Sequence, residues 1–265
     1  MIIIADSGST KTDWRIIDDQ GHIHQAKSNG INPYYQSSDE IVETLQEARR
    51  RIQEAMSSEL GAGNRVIHFY GAGCNNESKN LLLSNALKAV FGDVDTHVNT
   101  DLLAVARGLC HKDAGIACIL GTGSNSCYFD GVEITHHIPP WGSWLGDEGS
   151  GSRLGRELVI LYLNQELPDH LYQAFKKRYP DLMETVMDHV YRKPYPNRYL
   201  GQFSKFLFHH VKDPFVFELV YRNFQEFLNR KVLKYPNAQQ VPVQVSGSIG
   251  YYFNTILRKA AADLG

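Results

Sequence analysis

The first residues that could do chemistry stand directly after a short apolar run at the start of the chain. Ile2–Ala5 is that run, and the segment Asp6–Thr12 follows it with a carboxylate, small and hydroxyl side chains and Lys11. Backbone N–H groups in such a turn can approach a polyphosphate closely, and the Asp6 carboxylate could direct a magnesium ion through water. The pattern differs from a P-loop, because Thr10 stands where a P-loop has the glycine before its lysine. One such turn is typical of an ordinary hairpin and does not by itself predict a ligand.

A second turn of the same kind follows another apolar run later in the chain. There, Ile116–Leu120 precedes a Gly-Thr-Gly-Ser-Asn segment, and a shift of 115 positions aligns Gly8 with Gly123 and Trp14 with Phe129. The match predicts an internal duplication. Two opposed hairpins could hold a triphosphate from both sides. The candidate phosphate-binding residues lie in these two turns: Ser9, Thr10, Lys11, Gly121, Thr122, Gly123 and Ser124.

Asp101 is a candidate of a different kind. It stands where a strand pattern gives way to a helix pattern, after Asn99 and Thr100. Functional groups are common at the carboxyl ends of strands in α/β proteins. Aspartate is also among the preferred N-cap residues of helices, and on spacing alone capping is the favoured role. Both roles therefore stay open for this residue.

The densest candidate segment is Pro139–Arg153, which contains Trp141, Trp144, the adjacent acids Asp147 and Glu148, and several glycines. An indole face can pack against a pyranose ring, and a carboxylate can accept hydrogen bonds from sugar hydroxyls. The segment therefore favours carbohydrate recognition, with Glu148 in a capping or structural role. The alternative is that the tryptophans anchor a core and that the acids are solvated.

Alternating strand and helix patterns predict the elements that position these residues. Each of the two apolar runs begins a three-stranded β-meander. Between the meanders, a capping box at Ser37 and Glu40 predicts the start of an amphipathic helix. Strand patterns at Val66–Tyr70 and His97–Asn99, the second followed directly by a helix pattern, indicate a mixed or parallel sheet.

The second half of the chain has a different pattern. It is mostly helical over residues 153–235, before a strand at Val241–Val245 and a last helix. We therefore predict an α/β protein with two halves, residues 1–112 and 113–265, and a helical subdomain inserted at 153–235. The two halves would meet at a cleft.

The overall composition excludes several classes of protein. The chain has 265 residues, 43% of them hydrophobic, and a formal net charge of −2, so it can bury a core and has no strong field for nucleic acid or acidic lipid. No window approaches the roughly 20 apolar residues of a membrane helix, and the start lacks the basic region of a secretory signal. The four cysteines form no C-x-x-C pair, which favours reduced thiols and a cytoplasmic location. We expect neither nucleic acid nor a membrane as a partner.

Four segments, in this order, resemble the BadF/BadG/BcrA/BcrD ATPase family and, more narrowly, its N-acetylglucosamine kinase branch. They are Asp6–Asp13, Asn99–Asp101, Gly121–Asn125 and Trp141–Gly155. The resemblance covers nearly the whole chain, and the Trp-Gly…Gly-Asp-Glu-Gly-Ser run is its most specific motif. It implies an actin/hexokinase-type fold, in which two ribonuclease-H-like lobes bind ATP and a sugar in a central cleft.

The resemblance also implies roles for individual residues. Asp101 would be the general base that takes the proton of the sugar 6-hydroxyl. Asp6, Thr10 and Lys11 would belong to the first phosphate motif and Thr122 to the second. Sugar contacts are implied for four residues: Asn32, Tyr34, Trp141 and Asp147. Adenosine contacts are implied for two residues: Gly247 and Ser248.

The sequence therefore predicts ATP- and magnesium-dependent phosphorylation of an amino sugar at O6, with N-acetylglucosamine as the first candidate. Pro139 and Pro140 stand where similar proteins often have glycines, and this change could reshape the N-acyl side of the pocket. Glucosamine, glucose and N-acetylmuramate therefore stay open as acceptors. A homodimer is implied by the resemblance alone.

Two other classes of function stay open. Some members of the same broad family are ATPases that activate a partner reductase or dehydratase through an iron–sulfur cluster held by cysteines. Here Cys74, Cys110, Cys118 and Cys127 show no such placement. A non-catalytic sugar sensor or an actin-like assembly protein would also respond to nucleotide. The combination of Asp101 with two phosphate turns favours the enzyme.

Overall fold

The computed structural model describes residues 1–8, 11–57, 60 and 64–265. They form two compact units, Met1–Ala104 (unit 1) and Val105–Gly265 (unit 2). The division falls inside the helix Asp101–Cys110, whereas the sequence predicts it after residue 112. The predicted cleft between two ribonuclease-H-like lobes stays a prediction.

Unit 1 is built on one five-stranded mixed sheet. Its elements in chain order are β1 (Ile2–Ser7), β2 (Lys11–Ile17), β3 (Ile23–Asn29), α1 (Ser38–Met56), β4 (Val66–Gly71), α2 (Glu77–Phe91), β5 (Asp95–Thr100) and the start of α3 (Asp101–Cys110). The sheet order is β3-β2-β1-β4-β5, with β1–β2 and β2–β3 antiparallel and β1–β4 and β4–β5 parallel. The predicted meander and mixed sheet are confirmed in this unit.

The sequence predicts the helix α1 of unit 1 but not the helix α2. The capping box of α1 is present, because the Ser37 hydroxyl accepts from the Glu40 N–H and the Glu40 carboxylate accepts from the Ser37 N–H. The buried face of α1 consists of the predicted apolar residues: Ile41, Leu45, Ala48 and Ile52. The sequence did not predict α2, although its buried residues recur at helical spacing: Leu83, Ala86, Leu87, Val90 and Phe91.

The strand register brings the ends of several elements of unit 1 to one edge of the sheet. Ser7 of β1 lies opposite Gly71 of β4, and Gly71 lies opposite Thr100 of β5. The strand β3 also ends at this edge, because Asn29 pairs with Lys11 at the start of β2. The segments that follow β1, β3, β4 and β5 therefore all leave the sheet at the same edge, which is where α/β proteins commonly bind ligands.

Unit 2 contains a four-stranded sheet and most of the helices among the described residues. Its elements are β6 (Gly115–Leu120), β7 (Ser124–Phe129), β8 (Ile134–His137), α4 (Gly142–Leu145), α5 (Gly151–Leu163), α6 (Asp169–Arg178), α7 (Leu182–Tyr191), α8 (Pro196–Gly201), α9 (Ser204–His209), α10 (Pro214–Arg230), a 3₁₀ turn (Val232–Lys234), β9 (Val243–Ser246), α11 (Ser248–Tyr252) and α12 (Asn254–Ala262). The sheet order is β8-β7-β6-β9, with β6 and β9 parallel and the other pairs antiparallel. The predicted last helix corresponds to α12, and the short helix α11 precedes it.

The helices of unit 2 enclose an aromatic core against β6. Its fully buried side chains include those of Phe175, Phe203, Phe206, Phe224 and Phe227. Several of these rings meet edge to face, as Phe175 and Phe206 do at a centroid distance of 4.9 Å. None of the described helices is long and apolar enough to cross a membrane.

The two meanders are alike in strand order, but they do not superpose with one constant shift. Ser7 pairs with Thr12 at the end of the first hairpin, and Leu120 pairs with Ser124 at the end of the second. Four residues separate the paired Ser7 and Thr12 in the sequence, and three separate the paired Leu120 and Ser124, so the two connections differ by one residue. Because one inserted residue changes the register of everything after it, the predicted shift of 115 positions cannot hold on both sides of the turn.

Candidate functional site

Two carboxylates face each other across the β1–β2 pair, near the edge of the unit 1 sheet where β1 ends. Asp6 lies opposite Asp13 in the β1–β2 pair. Burial and the neighbouring Asp13 raise the pKa of Asp6, while Lys11 lowers it. Lys11 itself is held by Asp13, with 2.8 Å between Nζ and Oδ2. Ser9 and Thr10, the other predicted phosphate contacts of this turn, lie outside the described residues.

A buried hydroxyl network fixes the base of the first turn. The hydroxyls of Ser7 and Thr12 lie 2.8 Å apart. The Ser7 Oγ accepts from the Ile31 N–H at 3.0 Å, and the Thr12 hydroxyl donates to the Asn29 carbonyl at 3.1 Å. The network therefore joins the turn to the segment after β3 and fixes the backbone immediately before Asn32. Nothing in the sequence near Ser7 or Thr12 predicts this role for either hydroxyl.

Asn32 and Tyr34, two of the predicted sugar contacts, are brought together beside the loop after β4. The Asn32 Oδ1 accepts from the Tyr34 N–H at 3.0 Å, and the Tyr34 hydroxyl donates to Asn75 Oδ1 at 3.0 Å. Gly73 has φ of +85°, and a Cβ there would lie 2.6 Å from Asn32 Oδ1. Only glycine combines this conformation with so close an approach. The glycines after β4 were visible in the sequence, but nothing local connected Gly73 or Asn75 with Tyr34.

Asp101 occupies the first position of α3 at the same edge. The capping role falls to Thr100, whose hydroxyl accepts from the Leu103 N–H at 3.2 Å. Asp101 Oδ1 accepts from the Leu102 N–H at 2.8 Å. The pKa of the Cys74 thiol rises to about 12, chiefly through burial and further through the Asp101 charge. The Asp101 carboxylate therefore lies near the residue that directly follows Gly73.

In unit 2, backbone hydrogen bonds fix the second predicted phosphate turn. The first N–H groups of α5 donate to its carbonyls, Gly151 to Gly121 at 2.8 Å and Ser152 to Thr122 at 3.0 Å. The Gly121 N–H is also used, since it donates to the Gly123 carbonyl at 2.9 Å. Thr122 is exposed. This turn therefore offers the Thr122 side chain and a closely approachable backbone.

Asp147 lies against this second turn. Its Oδ1 accepts from the Ser124 N–H at 3.3 Å, and a Cβ at Gly123 would lie 3.3 Å from Oδ2. Asp147 is only 6% exposed, and burial raises its pKa, with a further contribution from Glu148. Because the Ser124 N–H is engaged by Asp147, the predicted phosphate contact at Ser124 depends on its hydroxyl, which has no hydrogen-bond partner among the described residues.

The tryptophan loop around α4 is anchored at its acidic end. The Asp147 N–H donates to the Pro140 carbonyl at 3.1 Å. Glu148 is buried and accepts from Arg230 at 3.0 Å, in line with its predicted structural role. Trp141 is exposed, and its φ of +62° begins α4 in the left-handed region. The exposed indole does not anchor a core, so the carbohydrate interpretation of Trp141 is retained.

The predicted adenosine residues lie where β9 ends. Gly247 has φ of +106°, and a Cβ there would overlap the Leu120 carbonyl oxygen of β6. Ser248 begins α11 and lines a cavity of about 540 Å³ that lies wholly within unit 2. Gly121 and Thr122 line the same cavity. One cavity therefore contacts both the second phosphate turn and an adenosine candidate. We name it the α9–α11 cavity, after the helices Ser204–His209 and Ser248–Tyr252 that wall it.

The residues at the edge of unit 1 offer one carboxylate oxygen donor suited to Mg²⁺, that of Asp6. No group of three or more His, Cys, Asp or Glu among the described residues could hold a metal. Mg²⁺ usually keeps several waters and binds one or two carboxylates together with substrate phosphates. Asp6 supplies a suitable oxygen donor, and burial raises the pKa of its carboxyl, with a further contribution from Asp13 that Lys11 opposes. These residues fit Mg²⁺ held jointly with a nucleotide.

Comparison with known proteins identifies the family. A solved structure of a candidate N-acetylglucosamine kinase from Porphyromonas gingivalis is 40% identical, with a TM-score of 0.90, and the alignment covers 100% of this chain and 92% of the other. The chain belongs to the N-acetylglucosamine kinase-like family of sugar kinases. No family model matches the chain, so the narrower BadF/BadG/BcrA/BcrD assignment stays an expectation.

Two more distant matches to this chain extend the comparison. An ROK hexokinase from Thermus thermophilus shares the fold, with a TM-score of 0.55 at 15% identity, and the match covers 99% of this chain and 88% of that one. The mixed α/β fold with two sheets is therefore that of the actin/hexokinase-like kinases. N-acetyl-D-glucosamine kinase from Dictyostelium discoideum is 23% identical over 165 residues, which is 58% of this chain. That match spans about half, 51%, of the curated relative's length.

Proposed function

We propose that this protein is an ATP-dependent kinase that phosphorylates an amino sugar at O6, with N-acetylglucosamine as its first substrate. The observation that carries the proposal is the edge of the unit 1 sheet at which several strands end. The chain with this edge belongs to the N-acetylglucosamine kinase-like family. There the ends of β1, β4 and β5 bring Asp6, Gly73 and Asp101 to one side of the sheet. A phosphate-type turn, polar side chains for the acceptor and a carboxylate are the parts that a sugar kinase requires.

The acceptor sugar would be held by the residues around the loop after β4. Asn32 and Tyr34 are linked to each other, and Tyr34 is linked to Asn75. The amide and phenol groups can exchange hydrogen bonds with sugar hydroxyls, and a fixed set of partners limits the entropy lost on binding. Trp141 and Asp147 of unit 2 are proposed as further sugar contacts, with the exposed Trp141 indole available to pack on a ring face.

Asp101 would act as the general base. Its carboxylate would take the proton of the 6-hydroxyl while the hydroxyl oxygen forms a bond to the γ-phosphorus of ATP, and the bond from that phosphorus to the β,γ-bridging oxygen breaks to release ADP. Because Thr100 caps α3, Asp101 is not required as the N-cap. General-base assistance of this kind contributes typically about 10²–10⁴-fold. Most of the remaining acceleration in phosphoryl transfer comes from positioning and charge stabilisation.

The triphosphate would be bound by the two hairpin turns. Lys11 in unit 1 and Thr122 in unit 2 are the described side chains proposed to contact it, and Asp6 is proposed to orient Mg²⁺ through water. Mg²⁺ would neutralise part of the charge on the phosphate oxygens. A cytoplasmic location and a homodimer belong to the same proposal. The location rests on the unpaired cysteines, and the homodimer rests on the resemblance alone.

The rival role as an activator ATPase is less well supported. All four cysteines are buried and unpaired. Burial raises the pKa of Cys74, Cys118 and Cys127, which disfavours the thiolate that an iron–sulfur cluster needs.

The direct test is an ADP-release assay with ATP and Mg²⁺ and four acceptors: N-acetylglucosamine, glucosamine, glucose and N-acetylmuramate. We expect the highest kcat/KM with N-acetylglucosamine and a product phosphorylated at O6, which NMR of the product identifies. A higher kcat/KM with glucosamine would instead assign the free amine as the preferred group. Release of ADP that is independent of every sugar would contradict the kinase proposal.

A further inference from the structure

Lys231, which directly follows α10, is a buried cation. It is 6% exposed, and its ammonium group donates to the Pro139 carbonyl at 2.7 Å. No other lysine or arginine among the described residues is buried. Burying a charge is costly even when specific partners compensate it, so a buried cation is a poor source of stability. The ammonium group is therefore better explained by what it holds in place.

The Lys231 contact lies at one end of the tryptophan loop (residues 139–148). Arg230, the residue before Lys231, holds the other end, because it donates to the Glu148 carboxylate at 3.0 Å. Two consecutive residues at the end of α10 thus hold both ends of this loop. Between its ends, the loop carries the two proposed sugar contacts of unit 2: Trp141 and Asp147.

The sequence at the first end of the loop explains why a side chain holds it. Pro139 and Pro140 have no N–H group, so hydrogen bonds can hold the backbone at these two positions only through its carbonyls. The Pro140 carbonyl accepts from the Asp147 N–H at 3.1 Å, and the Pro139 carbonyl accepts from Lys231. Lys231 therefore supplies the donor that comes from outside the loop.

Lys231 also acts on Asp147 through its charge. Burial raises the pKa of Asp147, and the neighbouring Glu148 raises it further. The Ser124 N–H, Lys231 and Arg156 lower it. The ammonium group therefore favours the ionised carboxylate, which is an acceptor for the hydroxyl groups of a sugar.

We propose that Lys231 is a positioning residue for the acceptor sugar: its ammonium group holds the first end of the tryptophan loop and thereby places Trp141 and Asp147 for the sugar. This rests on the proposed function, because it takes both side chains as sugar contacts. Most of the loop before Gly146 is exposed, so few packing contacts could replace this anchor. Lys231 acts through the loop and does not have to touch the sugar.

The experiment measures the Kd for N-acetylglucosamine by isothermal titration calorimetry in Lys231→Met and in a control, Lys234→Met. Methionine keeps an unbranched side chain and removes the charge and the donor, and Lys234 is an exposed lysine on the next turn of the chain. We expect Lys231→Met to raise the Kd about tenfold at pH 8, because a charge-assisted hydrogen bond that orders the loop is lost. In turnover assays the KM for the sugar should rise with little change in kcat. Lys234→Met should change none of these constants.

The pH dependence of the Kd distinguishes positioning of Asp147 from a general loss of structure. Without the Lys231 charge the pKa of Asp147 should rise further, so the fall in sugar affinity on acidification should begin at a higher pH than in the wild type. In an Asp147→Asn background this carboxyl no longer titrates, and Lys231→Met should no longer move that fall. An unchanged Kd at pH 8, or a Kd raised by the same factor at every pH, would overturn the positioning role.

The outcomes also separate this inference from the proposed function. A wild-type protein that binds none of the four acceptor sugars would overturn the proposed function and the positioning role together. A wild-type protein that phosphorylates N-acetylglucosamine, with the same Kd in Lys231→Met, would overturn the positioning role alone. Hydrogen exchange at the Asp147 amide reports on the loop directly. Faster exchange there in Lys231→Met, with an unchanged Tm, would support the anchor and show that the rest of the fold is intact.

Discussion

The two hairpin turns at the ends of β1 and β6 stand in similar strand surroundings but are fixed by different groups. In unit 1, the hydroxyls of Ser7 and Thr12 tie the turn to the segment after β3. In unit 2, the backbone N–H groups of Gly151 and Ser152 tie the turn to the start of α5. The first arrangement depends on side chains, and the second depends on close backbone contact.

This difference indicates how each unit tolerates substitution. Side chains in unit 1 position Asn32 and include the proposed base Asp101. Substitutions that change side-chain chemistry should therefore reduce stability or activity most in unit 1. Unit 2 relies on glycines whose backbone lies against other backbone, as Gly247 does against Leu120. Substitutions that add side-chain volume should therefore lower the free energy of unfolding most in unit 2.

Asp101→Asn should have the largest effect. The amide cannot accept the proton of the 6-hydroxyl, so kcat should fall by about 10²–10⁴-fold. The Kd for the sugar, measured by calorimetry, should change little because the shape and the hydrogen bond from Leu102 can be kept. Asp95→Asn, at the opposite end of β5, is the control. A kcat for Asp101→Asn within a few-fold of wild type would contradict the assignment of Asp101 as the general base.

Gly247→Ala should cause the largest loss of stability. The residue has φ of +106° and ψ of 158°, a region that is essentially restricted to glycine, and its Cβ would overlap the Leu120 carbonyl. We expect the free energy of unfolding in urea to fall by about 3 kcal/mol, from conformational strain and overpacking together.

Gly108→Ala is the matched control in the interior of α3, where a Cβ would meet no atom within 4 Å. Alanine is the better helix former, so this variant should gain roughly 0.5–1 kcal/mol. Equal effects of the two glycine variants would show that backbone contact does not set the tolerance of unit 2.

Ser7→Ala should be intermediate. It leaves the Ile31 N–H without its acceptor and the Thr12 hydroxyl without its neighbour in a buried site. The loss should be about 2 kcal/mol in the free energy of unfolding, because a buried donor is left unsatisfied. Thr12→Val and the double variant complete a mutant cycle. A coupling energy near zero between Ser7 and Thr12 would show that the network does not fix the first turn.

Much of this fold could be predicted because its signals are local. The apolar runs predict β1 and β6, the Ser37–Glu40 capping box predicts α1, and the polar turn after each run predicts a hairpin. The helix α2 was missed although its buried residues recur at helical spacing, because Leu81 and Leu82, which are not buried, extend the apolar run beyond that stripe. The one-residue difference between the turns also escaped, since the alignment used few identities and register depends on pairing.

Some residues of the candidate site could likewise be predicted from the sequence, and others could not. Asp101 could be found because it ends a strand pattern, but its neighbour Thr100 as the N-cap is visible only from the hydrogen bond to Leu103. The association of Tyr34 with Asn75 and the contact of Lys231 with Pro139 join residues far apart in the chain. No local pattern signals such contacts. They arise only when elements that are distant in the sequence come together in the fold.

Asp147→Asn should have the smallest effect, and its sign distinguishes a functional carboxylate from a stabilising one. Burial raises the folded-state pKa of Asp147 above its unfolded value. The contribution of this carboxyl to stability is therefore greatest below the unfolded pKa and is lost as the pH rises through the folded pKa. Asparagine can still accept from the Ser124 N–H and avoids the cost of the buried charge. We expect about 1 kcal/mol of added stability at pH 8, less at pH 4, and a several-fold higher KM for the sugar.

Asp130→Asn is the control of opposite sign. Backbone N–H groups of the β7–β8 turn lower the pKa of Asp130, so its contribution is present above the unfolded pKa and is lost as the pH falls. Its removal should destabilise the protein more at pH 8 than at pH 4, as urea unfolding at the two values measures. If Asp147→Asn followed the same pH trend as Asp130→Asn, Asp147 would be a stabilising partner of the second turn, and the contrast between the two units would lose its support at that residue.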